Sequence, residues 1–311
     1  MKINKKIIVI LLLIIFIPAG ILTFMIKENH KKEEIAKKEA KQEAKQEALK
    51  NEKSMNIALF GLDRRSKEEK SRADSIMVAN INFETKTINL VSILRDTLVD
   101  IKGHGKDKLN HSYAYGGPEL SMETINSNFD LDINKYVSVD FFSLAKVIDI
   151  IGGVDIDLKD YEANQINQNL NEINSIEKLP KETDYIQGSG LKNLNGRQAV
   201  AYCRIRKEGN GDYERTQRQR NVLKAILLKY EKLDSGKRFE VGMEMMSQVN
   251  TNIPINDIKD LQNKILSDKD FTINQHMIPF EGSFETKIID KKWVIDANMK
   301  ENIKKIQEYL K

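Results

Sequence analysis

The sequence predicts an α/β fold in which helices are layered on one mixed sheet, held to a membrane by a single N-terminal helix. Three observations carry that expectation. From Met55 onward, short apolar runs alternate with stretches of helical periodicity, the pattern of strands and helices sharing a sheet. An early pair of strand-like runs joined by a brief polar turn makes the sheet mixed and not purely parallel. Residues 7–26, "IIVILLLIIFIPAGILTFMI", hold no charge. At about 1.5 Å of rise per residue they cross a hydrocarbon core about 30 Å thick.

The elements follow in order. No small-x-small cleavage site follows the apolar stretch, so it reads as an uncleaved anchor behind a short tail, residues 1–6. Pro18 and Gly20 are tolerated in such a span. Lysines flank it on both sides, so charge does not orient it; the short tail ahead of a single anchor places residues 27–311 outside. Residues 27–53 include the tetrads AKKE, AKQE and AKQE, strong helix formers whose alanine stripe is too small for a core, and read as a charged, solvated helical spacer. Residues 54–311 show no low-complexity break and are taken as one domain. Within it, "MNIALFGLD" is a buried strand ending in a turn, where Gly61 allows close backbone approach. Residues 74–96 are two strands joined around Glu84–Lys86. Helix is expected at 119–129, strand at 135–141, and the helix "SLAKVIDIIG" then stops at Gly152–Gly153 before the strand "GVDIDL". Residues 215–233 form a helix with Val222, Leu223, Ile226 and Leu227 on one face. "VGMEMMSQV" and "INDIKDLQNKIL" are helical, "FTINQHMIPF" and "KKWVID" are strands, and "NIKKIQEYL" is a terminal helix.

Composition removes several classes. The chain of 311 residues carries a net charge of +4, with many charges of both signs, which does not indicate a general nucleic-acid surface. Its one cysteine, Cys203, excludes an intramolecular disulfide and a multi-cysteine metal site, and reads as a small buried side chain. The four histidines show no ligand spacing. No Walker loop, GxSxG elbow or kinase signature is present.

Arginine is the informative residue. The chain has 39 Lys and 11 Arg, and ten of the arginines fall in two windows: Arg64, Arg65, Arg72 and Arg95, then Arg197, Arg204, Arg206, Arg215, Arg218 and Arg220. A guanidinium offers a planar fork that matches phosphate oxygens, whereas an ammonium is a point charge. Acids sit among these arginines: Asp63, Asp74, Asp96 and Asp212. Asp63 and Asp74 flank a polar loop where strands begin or end, and two carboxylates there suit Mg²⁺, which takes few protein ligands plus phosphate oxygens. The set suggests a pyrophosphate site. The same residues also fit a solvated basic face, ion pairs with the many glutamates, or nucleic-acid contact, the last forbidden if the domain lies outside.

Seven motifs in order, "FGLDRR", "SRADSIM", "VSILRDT", "KLNHSYAYGG", "YVSVDFFSLAKVIDIIGGVDIDL", "LNGRQAVAYCRIR" and "GDYERTQRQRNVL", resemble the LytR–CpsA–Psr family of cell-wall glycopolymer ligases, from Met55 to Leu228; "VNTNIPI" at 249–255 matches more loosely. The resemblance implies a three-layer α/β/α domain enclosing a hydrophobic tunnel for a prenyl chain. It also implies an extracytoplasmic, Mg²⁺-dependent phosphotransferase on the cytoplasmic membrane. Such an enzyme takes a glycopolymer of teichoic acid or capsule type from a polyprenyl-pyrophosphate carrier and joins it to peptidoglycan by a phosphodiester. By motif, Asp63 and Asp74 match the metal-binding acids. Arg72, Arg95, Arg204 and Arg206 match the arginines around the pyrophosphate. Lys108, Asp212, Arg215, Arg218 and Gln219 match further positions lining it. Asp74 and Asp96 are the candidates for deprotonating the acceptor. Leu94 stands where the family commonly has proline. Two other readings use the same residues: a non-catalytic polyprenyl-phosphate binder that regulates envelope assembly, and a polyprenyl pyrophosphatase with water as acceptor.

Overall fold

Three strands that the sequence marks out, β1 (Ser54–Leu62), β2 (Ala73–Asn82) and β3 (Thr87–Ile93), form the centre of a mixed six-stranded sheet in the computed structural model. The structure describes residues 53–63, 71–206, 212–267, 271–289 and 291–310, within the unit Lys53–Lys311. The expected anchor at 7–26 and the spacer up to residue 52 lie outside the described residues. Among those described, no helix is long and apolar enough to cross a membrane.

The sheet runs β10-β3-β2-β1-β6-β9, with β6 at Lys135–Asp140, β9 at Asn250–Thr251 and β10 at Thr272–Ile278. β2 pairs antiparallel with both β1 and β3, while β6 runs parallel to β1 and β10 parallel to β3. Hence β10, β3, β1 and β6 all point one way. β2 is buried along nearly its whole length, as a central strand covered on both sides must be.

A ladder of asparagines fixes the register across four strands. Asn80 Nδ2 donates to Asn56 Oδ1 at 2.9 Å, Asn89 Nδ2 to Asn80 Oδ1 at 3.3 Å, and Asn274 Nδ2 to Asn89 Oδ1 at 2.9 Å. These residues are direct partners in the pairing. A slip of one residue would send each amide to the other face and leave it buried without a partner, so the ladder rejects alternative registers.

Eight helices join the sheet among the described residues: α1 (His111–Phe129), α2 (Phe141–Ile150), α3 (Glu162–Ile176), α4 (Gly196–Cys203), α5 (Asp212–Glu231), α6 (Ser235–Ser247), α7 (Ile255–Ser267) and α8 (Met299–Tyr309). One core joins Phe60, Val78 and Ile93 of the sheet to Ile125 and Phe129 of α1 and Ile306 of α8. A second joins Ile148, Ile166, Leu170, Val200 and Val222 of α2 to α5. Three two-stranded ribbons stand apart from the main sheet: β4 (Leu98–Ile101) with β5 (Gly105–Lys108), β7 (Val154–Leu158) with β8 (Gly190–Leu194), and β11 (Phe284–Ile289) with β12 (Lys292–Ala297).

Two expectations need amending. The strand "GVDIDL" lies in the β7–β8 ribbon and not in the common sheet, because its neighbour is the local strand β8. The helix expected at 119–129 begins at His111 and bends at Gly116 and Gly117, whose backbone angles leave the helical region; with Pro118 these breakers hide the first turns from a periodicity reading.

Local chemistry sets the helix that carries the second arginine window. Asn195 and Gln198 form a reciprocal capping box at the start of α4. Gly196 donates its N–H to Asp149 Oδ1 at 2.7 Å and lies so close to α2 that a Cβ would overlap the Ala145 backbone. Gly196→Ala should therefore lower stability by about 1–3 kcal/mol or more, since the obstacle is backbone. Urea denaturation of the full-length protein checks this, and an unchanged midpoint would mean the helices do not meet there.

Candidate active site

Because β1, β3, β6 and β10 are co-directional, their carboxyl ends share one edge of the sheet, the usual place for a ligand in an α/β fold. β1 ends at Leu62 and Asp63 follows. β2 starts from the same edge, with Asp63 N–H donating to Arg72 O at 3.4 Å. β3 delivers Arg95 and Asp96 just past Ile93.

Asp74 owes its position to an irregularity. Gly61 pairs with Ser75 but Leu62 pairs with Ala73, so Asp74 is the extra residue of a bulge and drops out of the ladder. Bulges re-aim side chains and free backbone groups. Gly61 makes this one possible: a Cβ there would come within 2.8 Å of Ser75 Cβ. The freed Asp74 carbonyl accepts Arg215 Nη2 at 3.2 Å, and Asp74 Oδ2 takes Arg95 Nη1 together with Arg206 Nη2 at 3.4 Å. The other oxygen, Oδ1, is buried with no hydrogen-bond partner among the described residues.

The cluster continues through Arg95. Its Nε lies 3.3 Å from Asp96 Oδ2, and Lys108 Nζ is 2.7 Å from Asp96 Oδ1. The backbone sets this turn: Leu94 N–H donates to Ile278 O at 2.8 Å, and Asn110 N–H to Arg95 O at 3.0 Å. Proline at position 94 would lack the first of these bonds, so leucine here gains a link to β10. Arg95, Lys108, Arg206 and Arg215 thus gather around two carboxylates, and positive charge is in excess among the described residues of the cluster.

Not every expected residue joins them. Asp63 lines an adjoining groove with Phe141, Arg197 and Arg204. There Arg204 pairs with Glu172 at 2.8 Å and lies 5.5 Å from the Phe141 ring. Arg204 closes the C-terminus of α4, whereas Arg206 lies beyond it, so two arginines two positions apart serve different partners. Arg72 is exposed at the foot of β2. Arg218 is buried and committed to structure: Nε reaches Glu162 at 2.8 Å, Nη2 reaches Glu214 at 2.7 Å and Tyr161 at 2.9 Å, and Nη1 holds Ile205 O at 3.3 Å. It contacts no member of the Asp74 cluster in these bonds, but it anchors the residue before Arg206. Gln219 Oε1 is buried without a hydrogen-bond partner among the described residues. The side chain of Asp212 lies outside the described residues. Cys203 is buried, which pushes its thiol up to about 12 and leaves it unreactive.

Helix α5 links the cluster to an apolar cavity of about 640 Å³ lined by Ile88, Ile226, Leu227, Met245, Ile258 and Ile273. From Arg215 to Ile226 the helix rises about 16 Å, so charged and apolar regions sit at successive stations of one element.

Arg220 is a residue that the sequence counted but gave no task. It is 4% exposed, its Nη2 reaches Gln217 Oε1 at 2.6 Å, and its Nε and Nη1 are buried without hydrogen-bond partners among the described residues. Burial pushes its pKa down to about 10. Such a cation costs stability in the ligand-free protein. Arg220→Met should therefore stabilise it by about 1–3 kcal/mol in chemical denaturation. A loss of stability would show that the guanidinium is compensated.

The model of the LytR_cpsA_psr family matches residues 21–311. The polyisoprenyl-teichoic acid–peptidoglycan teichoic acid transferase TagU of Enterococcus faecalis is 34% identical over 218 residues, which is 68% of this chain and 66% of that protein. The transferase of the same name from Bacillus licheniformis is 33% identical over 236 residues, 75% of this chain and 71% of its own. Among solved structures, TagT bound to LIIa-WTA superposes with a TM-score of 0.67 at 27% identity, covering 83% of this chain and 91% of TagT. YwtF (TagT) with bound octaprenyl pyrophosphate lipid gives a TM-score of 0.64 at 26% identity, with the same coverage of each chain. With its mixed sheet, its arginine-lined edge and these matches, the chain belongs to the LytR_cpsA_psr family.

Proposed function

We propose that this protein is a phosphotransferase that moves an anionic glycopolymer of teichoic acid or capsule type from a polyprenyl-pyrophosphate carrier to peptidoglycan, forming a phosphodiester. The observation that carries the reading is the gathering of Arg95, Lys108, Arg206 and Arg215 around Asp74 and Asp96, paired with an apolar cavity along α5. A diphosphate presents the oxygens that guanidinium forks match, and a prenyl chain is the apolar partner that the cavity fits. This makes the α5 side of the sheet a lipid tunnel. The names of the relatives support the same chemistry.

In the reaction, Arg95, Arg206, Arg215 and Lys108 hold the pyrophosphate and offset the charge that repels an incoming hydroxyl and builds on the departing lipid phosphate. Asp96, with both oxygens engaged by Arg95 and Lys108, aims those cations. Arg218 positions Arg206 through Ile205. Arg204, in the adjoining groove, and Arg72, exposed just before β2, are assigned by this reading to the polymer side of the site.

The residues present suit a magnesium ion. Asp74 Oδ1 is a buried carboxylate oxygen with no hydrogen-bond donor among the described residues. No cluster of three or more acidic, histidine or cysteine ligands occurs among the described residues, but Mg²⁺ needs only one or two carboxylates beside phosphate oxygens. Asp74 would hold the ion, and Asp63, which lines the adjoining groove, is the second carboxylate that this reading assigns to it. When bound, Mg²⁺ adds charge neutralisation at the phosphates. The reading places the domain outside the cytoplasmic membrane, where peptidoglycan lies, tethered by residues 7–26.

Full-length protein in detergent, given lipid-linked teichoic acid and peptidoglycan with and without Mg²⁺, tests this. Arg206→Lys should reduce transfer roughly 10²-fold, because an ammonium does not replace the fork. Its melting temperature should hold, since the side chain is 53% exposed. Asp74→Asn should abolish the response to Mg²⁺. Wild-type transfer rates in both variants would refute the proposal.

A further inference from the structure

We propose that Trp293 is a stacking platform for a pyranose ring beside the pyrophosphate, and so positions a sugar for transfer; this rests on the function proposed above. Trp293 is the only tryptophan of the chain and is 46% exposed. It lies on β12, whose register with β11 pairs Phe284 with Ala297, Thr286 with Ile295 and Ile288 with Trp293. Side chains directly opposite one another share a face, so Phe284, Ile288 and Trp293 lie on one side of the ribbon.

The ribbon is tied to the cationic cluster and its helix at three points. The Phe284 ring stacks on Tyr213, at the start of the helix that carries Arg215, with centroids 5.9 Å apart. Ile295 N–H donates to Asp96 O at 2.9 Å. Lys108 Nζ, while bridging Asp96, lies 5.9 Å from the Trp293 ring centroid. The opposite face of the ribbon is pinned separately. Lys292 Nζ reaches both Asp107 oxygens at 3.0 Å, and Asp107 also binds His111 Nδ1 at 2.8 Å and Tyr115 OH at 2.7 Å. The strand beneath the indole is therefore fixed on both sides, and an open aromatic face stands next to the place proposed for a phosphate.

An exposed indole offers an apolar face and an N–H donor. The ring of a sugar joined to the diphosphate, or of one attacking it, presents C–H groups for that face and hydroxyls for the rim. A plain surface reading leaves unexplained why a large aromatic group is held open on a doubly anchored strand beside the cluster.

Because Trp293 is the sole tryptophan, its emission reports directly on full-length protein in detergent. Three ligands are titrated: a polyprenyl pyrophosphate without sugar, the same lipid carrying an amino sugar, and soluble peptidoglycan fragments. We expect the sugar-bearing lipid or the fragments to change the emission beyond any effect of the sugarless lipid; the former identifies a donor sugar and the latter an acceptor. Trp293→Ala should raise KM for that ligand about tenfold with kcat little changed, whereas Trp293→Phe keeps most of the affinity. Melting temperatures of both variants control for folding. If the sugarless lipid raises the melting temperature of the wild type but no sugar alters the emission or the KM, this inference alone falls. If the sugarless lipid does not bind, the pyrophosphate reading falls and this one with it.

Discussion

The grip of several cations on the Asp74 position is the interaction on which the rest depends. A bulge between Gly61 and Leu62 frees both the side chain and the carbonyl of Asp74. Arg95 and Arg206 take the carboxylate, and Arg215 takes the carbonyl. Bringing like charges together in a half-buried place is unfavourable in the absence of a counter-anion, and a ligand that binds only the folded protein offsets that cost by mass action. Arg220, buried on the same helix with Nε and Nη1 unpartnered among the described residues, carries a cost of this kind on its own.

Around this centre stand residues whose work is indirect. Arg218 and Glu162 form a nearly closed ion pair with side chains 3% and 2% exposed. Removing one partner of such a pair leaves a buried charge uncompensated, so the pair is a structural commitment and not a spare ligand. It holds the Ile205 carbonyl, and with it the start of the segment that carries Arg206. The capping box at Asn195 and the contact of Gly196 with α2 set the other end of the same helix. Arg206, half-exposed and bonded to Asp74, therefore projects from a firmly packed base.

The sheet organises charge and grease together. Its co-directional strands bring Asp63 and the Arg95–Asp96 turn to one edge, where β2 begins with Asp74, while α5 runs from that edge toward the apolar cavity. The β11–β12 ribbon leans on the same helix through Tyr213 and Phe284, and on the Arg95 turn through Ile295. Each wall of the site thus belongs to a different part of the chain.

Much of this was legible beforehand, for local reasons. The strands β1, β2, β3 and β6 and the helices α2, α5 and α8 show clear periodicity, and Gly152 and Gly153, with φ of 78° and 81°, end α2 where the glycine pair was expected to. The crowding of arginine into two windows raised the expectation of an anion site, and the structure brings Arg95 of the first window together with Arg206 and Arg215 of the second. The polar helix α3 was overlooked because its asparagines and glutamines mask a stripe of Ala163, Ile166, Leu170 and Ile173. The ladder of Asn56, Asn80, Asn89 and Asn274, one residue from each of four strands, is legible only once the strand order pairs them. The tertiary structure alone decided which arginines meet Asp74, because that depends on where a helix stops and which way each guanidinium then points. Arg204 at the end of α4 turns to Glu172, Arg206 beyond it turns to Asp74, and Arg218 is consumed by Glu162. Residue type and spacing determine what a side chain is able to bind; only packing, which buries some partners and exposes others, determines what it does bind.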